Sequence, residues 1–125
     1  MNESGYLTVS VKTAGGALPV SDAVVTVKDE NGNILYVVFT DESGRTPRLK
    51  LAAPPLANSG SPDAPRPPFY TYNVDTDKAG YISVRNLGLP VYPGITSIQP
   101  VELLPLAEGT KNGSVSFTEG DPPSL

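Results

Sequence analysis

Ala23-Val24-Val25-Thr26-Val27-Lys28-Asp29-Glu30-Asn31-Gly32-Asn33-Ile34-Leu35-Tyr36-Val37-Val38-Phe39-Thr40 decides the fold class. In its first half Ala23, Val25 and Val27 alternate with Val24, Thr26 and Lys28. That period of two sends successive side chains to opposite faces of a half-buried strand. Asn31-Gly32 follows, a pair in which both residues tolerate positive φ, and then the apolar run Ile34 to Phe39. Asn-Gly between two apolar runs is a strong short-range hairpin signal, so residues 23–40 read as a β-hairpin.

The same period extends in both directions. Leu7, Val9 and Val11 alternate with Tyr6, Thr8 and Ser10, giving a strand from Gly5 to Lys12. Thr40-Asp41-Glu42-Ser43-Gly44 is a turn, and Leu49 and Leu51 form a short strand. Ala52 to Pro68 holds Pro54, Pro55, Pro62, Pro65, Pro67 and Pro68, a density that prevents ladder pairing and predicts an extended loop. Alternation resumes from Phe69 to Thr76, with Tyr70, Tyr72 and Val74 on one side. Lys78-Ala79-Gly80 turns into a strand at Tyr81 to Arg85, and Leu87, Leu89 and Val91 carry the apolar pattern to Pro93-Gly94. Thr96 to Leu104 reads as the last core strand, with Ile98 and either Val101 or Leu103 inward and Pro100 marking a bulge or an edge. No stretch sustains a helical period. Seven to eight short, closely spaced strands predict an all-β sandwich. Residues 1–106 are expected to form it. Residues 107–125 are expected to be a linker and tail, with Val115 to Thr118 as a detached strand segment.

Composition removes whole classes of function. The chain has 125 residues, no Cys, no His and no Trp. Ser-His-Asp and Cys-His catalysis, zinc fingers and disulfide frameworks are therefore excluded. Nine Lys and Arg against 13 Asp and Glu give a net charge of −4, a poor match to nucleic acid, whose affinity comes from neutralising phosphates. The longest apolar run, Ile34 to Phe39, is far short of the roughly 20 residues of a membrane span. The start, Met1-Asn2-Glu3-Ser4-Gly5, carries neither the basic nor the apolar region of a secretory signal. The expected location is cytoplasmic, or the spore or cell surface after release.

The order of motifs resembles a family. Pro19-Val20-Ser21-Asp22-Ala23-Val24-Val25-Thr26-Val27, then Thr40-Asp41-Glu42-Ser43-Gly44, then Tyr72-Asn73-Val74 with Ala79-Gly80-Tyr81, is similar to the prealbumin-like domain, also described as transthyretin-like or carboxypeptidase regulatory-like. The resemblance implies a seven-stranded sandwich. A nearer likeness is to the non-catalytic N-terminal region of clostridial spore cortex-lytic proteins. Gly5-Tyr6-Leu7-Thr8-Val9-Ser10-Val11, Leu51 to Pro55, Arg66-Pro67 and Pro90-Val91-Tyr92-Pro93-Gly94-Ile95-Thr96-Ser97-Ile98-Gln99-Pro100-Val101 carry it. It covers residues 5–106. The lytic chemistry of those relatives resides in other modules and is not transferred to this chain.

Three acidic pairs, Asp29-Glu30, Asp41-Glu42 and Asp75 with Asp77, are candidates for acid–base work or calcium. All three flank predicted turns, where Asp bonds its own backbone, and none has the spacing of a calcium loop. No catalytic residue, cofactor or metal is expected. An internal Lys–Asn crosslink of the kind seen in surface-pilin domains would start from Lys12, but Glu102 stands where an Asn is needed. Tyr70, Tyr72 and Tyr92 are the candidate glycan-contact residues, because tyrosine rings stack on sugars; the same rings also fill sandwich cores. Val115 and Phe117, on a tethered strand, and Leu7 and Val9, on the first strand, are the candidate assembly residues, because an open sheet edge accepts another strand. The expected function is a non-enzymatic structural subunit, spore- or surface-associated, that self-associates into a homo-oligomer or filament. The alternative is a peptidoglycan-binding module that targets a lytic partner.

Overall fold

A computed structural model describes residues 3–53, 70–106 and 114–118. Most of the expected proline-rich loop and of the expected linker lies outside the described residues. Nine strands follow in chain order: β1 Glu3–Thr13, β2 Leu18–Pro19, β3 Val24–Asp29, β4 Ile34–Phe39, β5 Leu49–Ala53, β6 Tyr70–Asp77, β7 Ser83–Val91, β8 Thr96–Glu102 and β9 Ser114–Thr118. They form two sheets, and the protein is an all-β sandwich. No helix among the described residues is long and apolar enough to cross a membrane.

The first sheet is built around β1. Residues 6–12 of β1 pair in parallel with β8 on one side. On the other side β5 pairs antiparallel with residues 3–7, and β2 with Lys12 and Thr13. Between β5 and β2 the chain at Gly44 to Thr46 completes the stitching. Val11 N–H donates to the Gly44 carbonyl at 2.6 Å, Thr46 N–H donates to the Val9 carbonyl, and Val9 N–H donates to Thr46 Oγ1, both at 3.0 Å. Both edges of β1 are thus occupied along most of its length. The second sheet runs β4-β3-β6-β7-β9, antiparallel except for the parallel pair β7–β9.

The core lies between the sheets. Leu7, Val9 and Val11 from β1, Val25 and Val27 from β3, and Val74 from β6 are all essentially without solvent contact. Each such side chain contributes about 1.5–3 kcal/mol by leaving water. The expected alternation is met at these positions. It fails at two others for identifiable reasons. Ile98 is 67% exposed, while Val101 and Leu103 are both buried. Parallel register sets Ile98 beside Thr8, on the outer face, and Val101 beside Val11, on the inner one, so the pleat sends Ile98 outward. In β7, Val84 and Asn86 point inward, and after an irregularity opposite Tyr72 to Val74 the inward residues become Leu89 and Val91. One extra residue shifts the phase, as a β-bulge does.

The hairpin at residues 23–40 is present, with a turn wider than the Asn-Gly pair alone predicts. Gly32 takes positive φ and Asn31 does not. The Asp29 carboxylate organises the turn, accepting the N–H groups of Asn31 and Asn33 and the Asn33 side-chain amide, each at 2.9 Å. A register shift at Val27/Lys28 places a bulge at the start of β4.

Candidate functional site

A sandwich offers partners its faces and its outermost strands, whose backbone N–H and C=O groups lack a neighbour on one side. Among the described residues those strands are β4 and β9 in one sheet and β2, β5 and β8 in the other. β8 carries Pro100, which has no N–H, and the Gln99 side-chain amide donates to the Pro100 carbonyl at 2.9 Å. The reading of Pro100 as an edge residue is met. β5 is covered from the opposite sheet, where Tyr36 Oη donates to the Lys50 carbonyl at 2.7 Å and Tyr72 Oη to the Ala52 carbonyl at 2.6 Å. A groove of about 470 Å³ runs there between the sheets, lined by Asp29, Leu35, Tyr36, Lys50, Leu51, Ala52 and Tyr72. Burial pushes the Tyr72 hydroxyl above its ordinary pKa, with smaller contributions from Tyr70, Asp29 and Glu30.

β4 differs from both. Its sequence, Ile34-Leu35-Tyr36-Val37-Val38-Phe39, has no charge, no proline and no glycine. Tyr36 and Val38 pack toward the core, while Ile34, Leu35, Val37 and Phe39 are exposed. The usual protections of an edge, lysines, prolines or an inward charge, are missing; only the bulge at its beginning interrupts it. An uncharged six-residue stretch of high β propensity on an open edge is the sequence pattern that recruits another strand.

The expected assembly residues are placed differently. Leu7 and Val9 are core residues, 1% and 0% exposed, on a strand paired on both sides, so the folded protein cannot offer them to a partner. The inward phase of β1 that made them legible as a strand is what buries them. Val115 and Phe117 belong to β9, which pairs in parallel with β7 of its own chain, Val115 beside Val84 and Phe117 beside Asn86.

The three tyrosines do not form one exposed stacking surface. Tyr72 is buried, Tyr70 is exposed at the start of β6, and Tyr92 follows buried Val91, one step out of phase with it. The carboxylates serve the fold. The Asp29 carboxyl is held below the usual carboxylate range, first by the Asn33 side chain and then by backbone N–H groups. Asp41 Oδ1 accepts the N–H groups of Ser43 and Arg45. Asp75 sits 2.9 Å from Lys28 Nζ and 3.9 Å from Arg85 Nε, and Asp77 accepts the Ser83 hydroxyl. No cluster of three acidic residues gathers among the described residues. Lys12 and Glu102 are neighbours in register, and both are exposed.

No family model matches the sequence, and no curated protein matches it. Solved structures do match. A minor pilin of Streptococcus agalactiae superimposes with a TM-score of 0.60 at 13% identity, over 89% of this chain and 48% of the pilin. Catechol 1,2-dioxygenase from Acinetobacter sp. ADP1 gives 0.56 at 12% identity, over 91% of this chain and 59% of the enzyme. A candidate carbohydrate-binding protein from Bacteroides uniformis gives 0.53 at 12%, over 80% and 41%. The shared feature is the β-sandwich. This chain spans less than two thirds of each of these proteins, and at such identities the likeness is one of fold alone.

Sequence reasoning passed over β4 as a contact surface. It weighed Ile34–Phe39 only as a hairpin strand and as a run too short for a membrane. The signal available was the missing alternation. A strand with one wet face should show polar residues at Leu35, Val37 and Phe39, and it shows none.

Proposed function

We propose that this protein is a non-enzymatic structural or interaction subunit that assembles through its open sheet edges, with β4 as the principal one and the terminal segment as a second contributor. The observation that carries this reading is β4, an exposed edge strand without a charged residue. The sandwich likeness to a minor pilin is compatible with it. So is the resemblance of residues 5–106 to the prealbumin-like region of cortex-lytic proteins, from which a spore or surface setting is taken. In the same proposal residues 1–106 are the body of the molecule and 107–125 its linker and tail, although the strand expected to be detached, β9, joins the second sheet beside β7.

The test is sedimentation over a wide concentration range. The full chain is expected to self-associate, and Val37→Lys, at an exposed position, is expected to weaken that association about tenfold or more while leaving the unfolding midpoint nearly unchanged. Association unaltered by the lysine overturns the reading. Removing residues 110–125 takes away β9, the other outermost strand of the second sheet, so the truncated chain is expected to self-associate less than the full chain; unchanged association takes the tail out of the assembly.

The second reading, peptidoglycan binding, draws on the fold likeness to a candidate carbohydrate-binding protein and on exposed Tyr70. Retention on insoluble peptidoglycan that is lost in Tyr70→Ala would favour it. No retention counts against it.

A further inference from the structure

We infer that β4 pairs antiparallel with β4 of a second copy of this chain, about a two-fold axis through Val38. The inference rests on the edge-assembly reading above and names its partner and register.

The phase of the backbone sets the register. Thr40 N–H donates to the Ala23 carbonyl at 3.0 Å, and from there the ladder sets Val38 opposite Val25 and Tyr36 opposite Val27. Hydrogen-bonded and non-hydrogen-bonded pairs alternate along an antiparallel ladder. Tyr36 and Val38 therefore use their backbone groups on β3, while Val37 and Phe39 direct theirs to the open edge. The bulge before Tyr36 ends the regular stretch. An axis through Val38 sets Val37 opposite the second copy's Phe39, and Phe39 opposite its Val37. Both donors and both acceptors of each copy are then satisfied. An axis through Val37 would instead turn Phe39 toward bulged Leu35.

Side chains and charge agree with this register. Val37 and Phe39 are 54% and 59% exposed, and the pairing lays each Val37 against a Phe39 on the outer face of a continuous sheet. No like charges are set opposite one another within the strand, because residues 34–39 carry none. At the ends, the Asp41-Glu42 corner of one copy comes near the Asp29–Asn33 turn of the other, and each chain carries a net −4. Salt screens that repulsion and should strengthen the pair. Among the described residues the tail strand, which could also fill an edge, is already paired with β7 of its own chain. A contact of one short strand and its outer side chains covers on the order of several hundred Å², below the usual 1,200–2,000 Å² of stable interfaces, so the pair forms in a concentration-dependent manner. Because the two-fold consumes both β4 edges, association through β4 stops at two copies.

Cysteine pairs read the register directly, since the chain has no Cys of its own. Residues directly opposite in a hydrogen-bonded pair lie about 5.5 Å apart at Cα, within disulfide range, whereas diagonal neighbours at roughly 7–8 Å are outside it. Mixing V37C with F39C under mild oxidation is expected to give a crosslinked dimer, and either variant alone is expected to give far less. Added salt is expected to raise the yield. A V37C variant that crosslinks by itself as fast as the mixture overturns the axis. No crosslink in the mixture, with association still sensitive to Val37→Lys, overturns the two-fold and leaves the edge reading standing. A full chain that stays monomeric at every concentration overturns the second copy as partner.

Discussion

Gly44→Ala is expected to destabilise the fold by about 3–5 kcal/mol. Gly44 adopts φ of 78°, in the left-handed region, and a Cβ there would lie 2.3 Å from the Val11 carbonyl oxygen and 3.1 Å from Val20 N. The left-handed backbone alone costs an L-residue about 1–2 kcal/mol. The overlap adds more, because the atom in the way is backbone and cannot rotate aside. That backbone is also committed: the Val11 carbonyl accepts the Val20 N–H at 3.0 Å, and Val11 N–H donates to Gly44 itself. Moving it would loosen the seam between β5 and β2 along β1. A total of about 3–5 kcal/mol is expected, a large part of the 5–15 kcal/mol by which domains are stable. Gly32→Ala is the control. Its φ is 87° and nothing lies within 4 Å of the added Cβ, so it should lose the backbone part only. Urea unfolding of the two variants measures the difference. Equal losses would mean that the close approach at Gly44 contributes nothing.

Thr40→Val is expected to cost about 2–4 kcal/mol with almost no change of shape. Thr40 is buried where the chain leaves β4. Its hydroxyl donates to the Val20 carbonyl at 2.6 Å and accepts the Ala23 N–H at 3.0 Å. Valine keeps the volume and strands both partners in the interior, each at about 1–3 kcal/mol. Thr40→Ser keeps the hydroxyl and should recover most of the loss. The denaturant midpoint should fall in the valine variant while the slope stays the same, since the surface exposed on unfolding is unchanged. Because this residue anchors the end of β4, the variant should also exchange the amide hydrogens of Val37 to Phe39 faster than the parent. Slow exchange there with a lowered midpoint would show that the anchor serves the body alone.

How much was legible in the chain varies by element and for physical reasons. The hairpin at 23–40, the strand from Gly5 and the pattern of β6 could be read because each has one buried face, and alternation records which face that is. Pro100 could be read because an imide nitrogen cannot donate wherever it sits. Asp29 and Asp41 could be read as turn residues because their partners lie two to four residues away. Ile98 was misread because its orientation is inherited from β1, through a parallel pairing between residues about ninety apart in sequence.

The candidate site was the least legible part. Leu35, Val37 and Phe39 are as apolar as the core residues beside them, and the missing alternation that marks the strand fits burial on both faces as well as exposure of one. Only strand order decides, and strand order comes from pairings between distant residues.

The amino-acid sequence by itself determined that this protein is all-β, that it lacks the histidines and cysteines of the common catalytic and metal sites, and where most of its strands and turns fall, because those properties depend on residue type and near neighbours. The tertiary structure alone decided that β4 stands at an edge, that β1 is enclosed on both sides, and that the tail strand returns to β7. Such facts depend on which segments meet in space, and hydrogen bonds between backbones carry no record of that in the side chains.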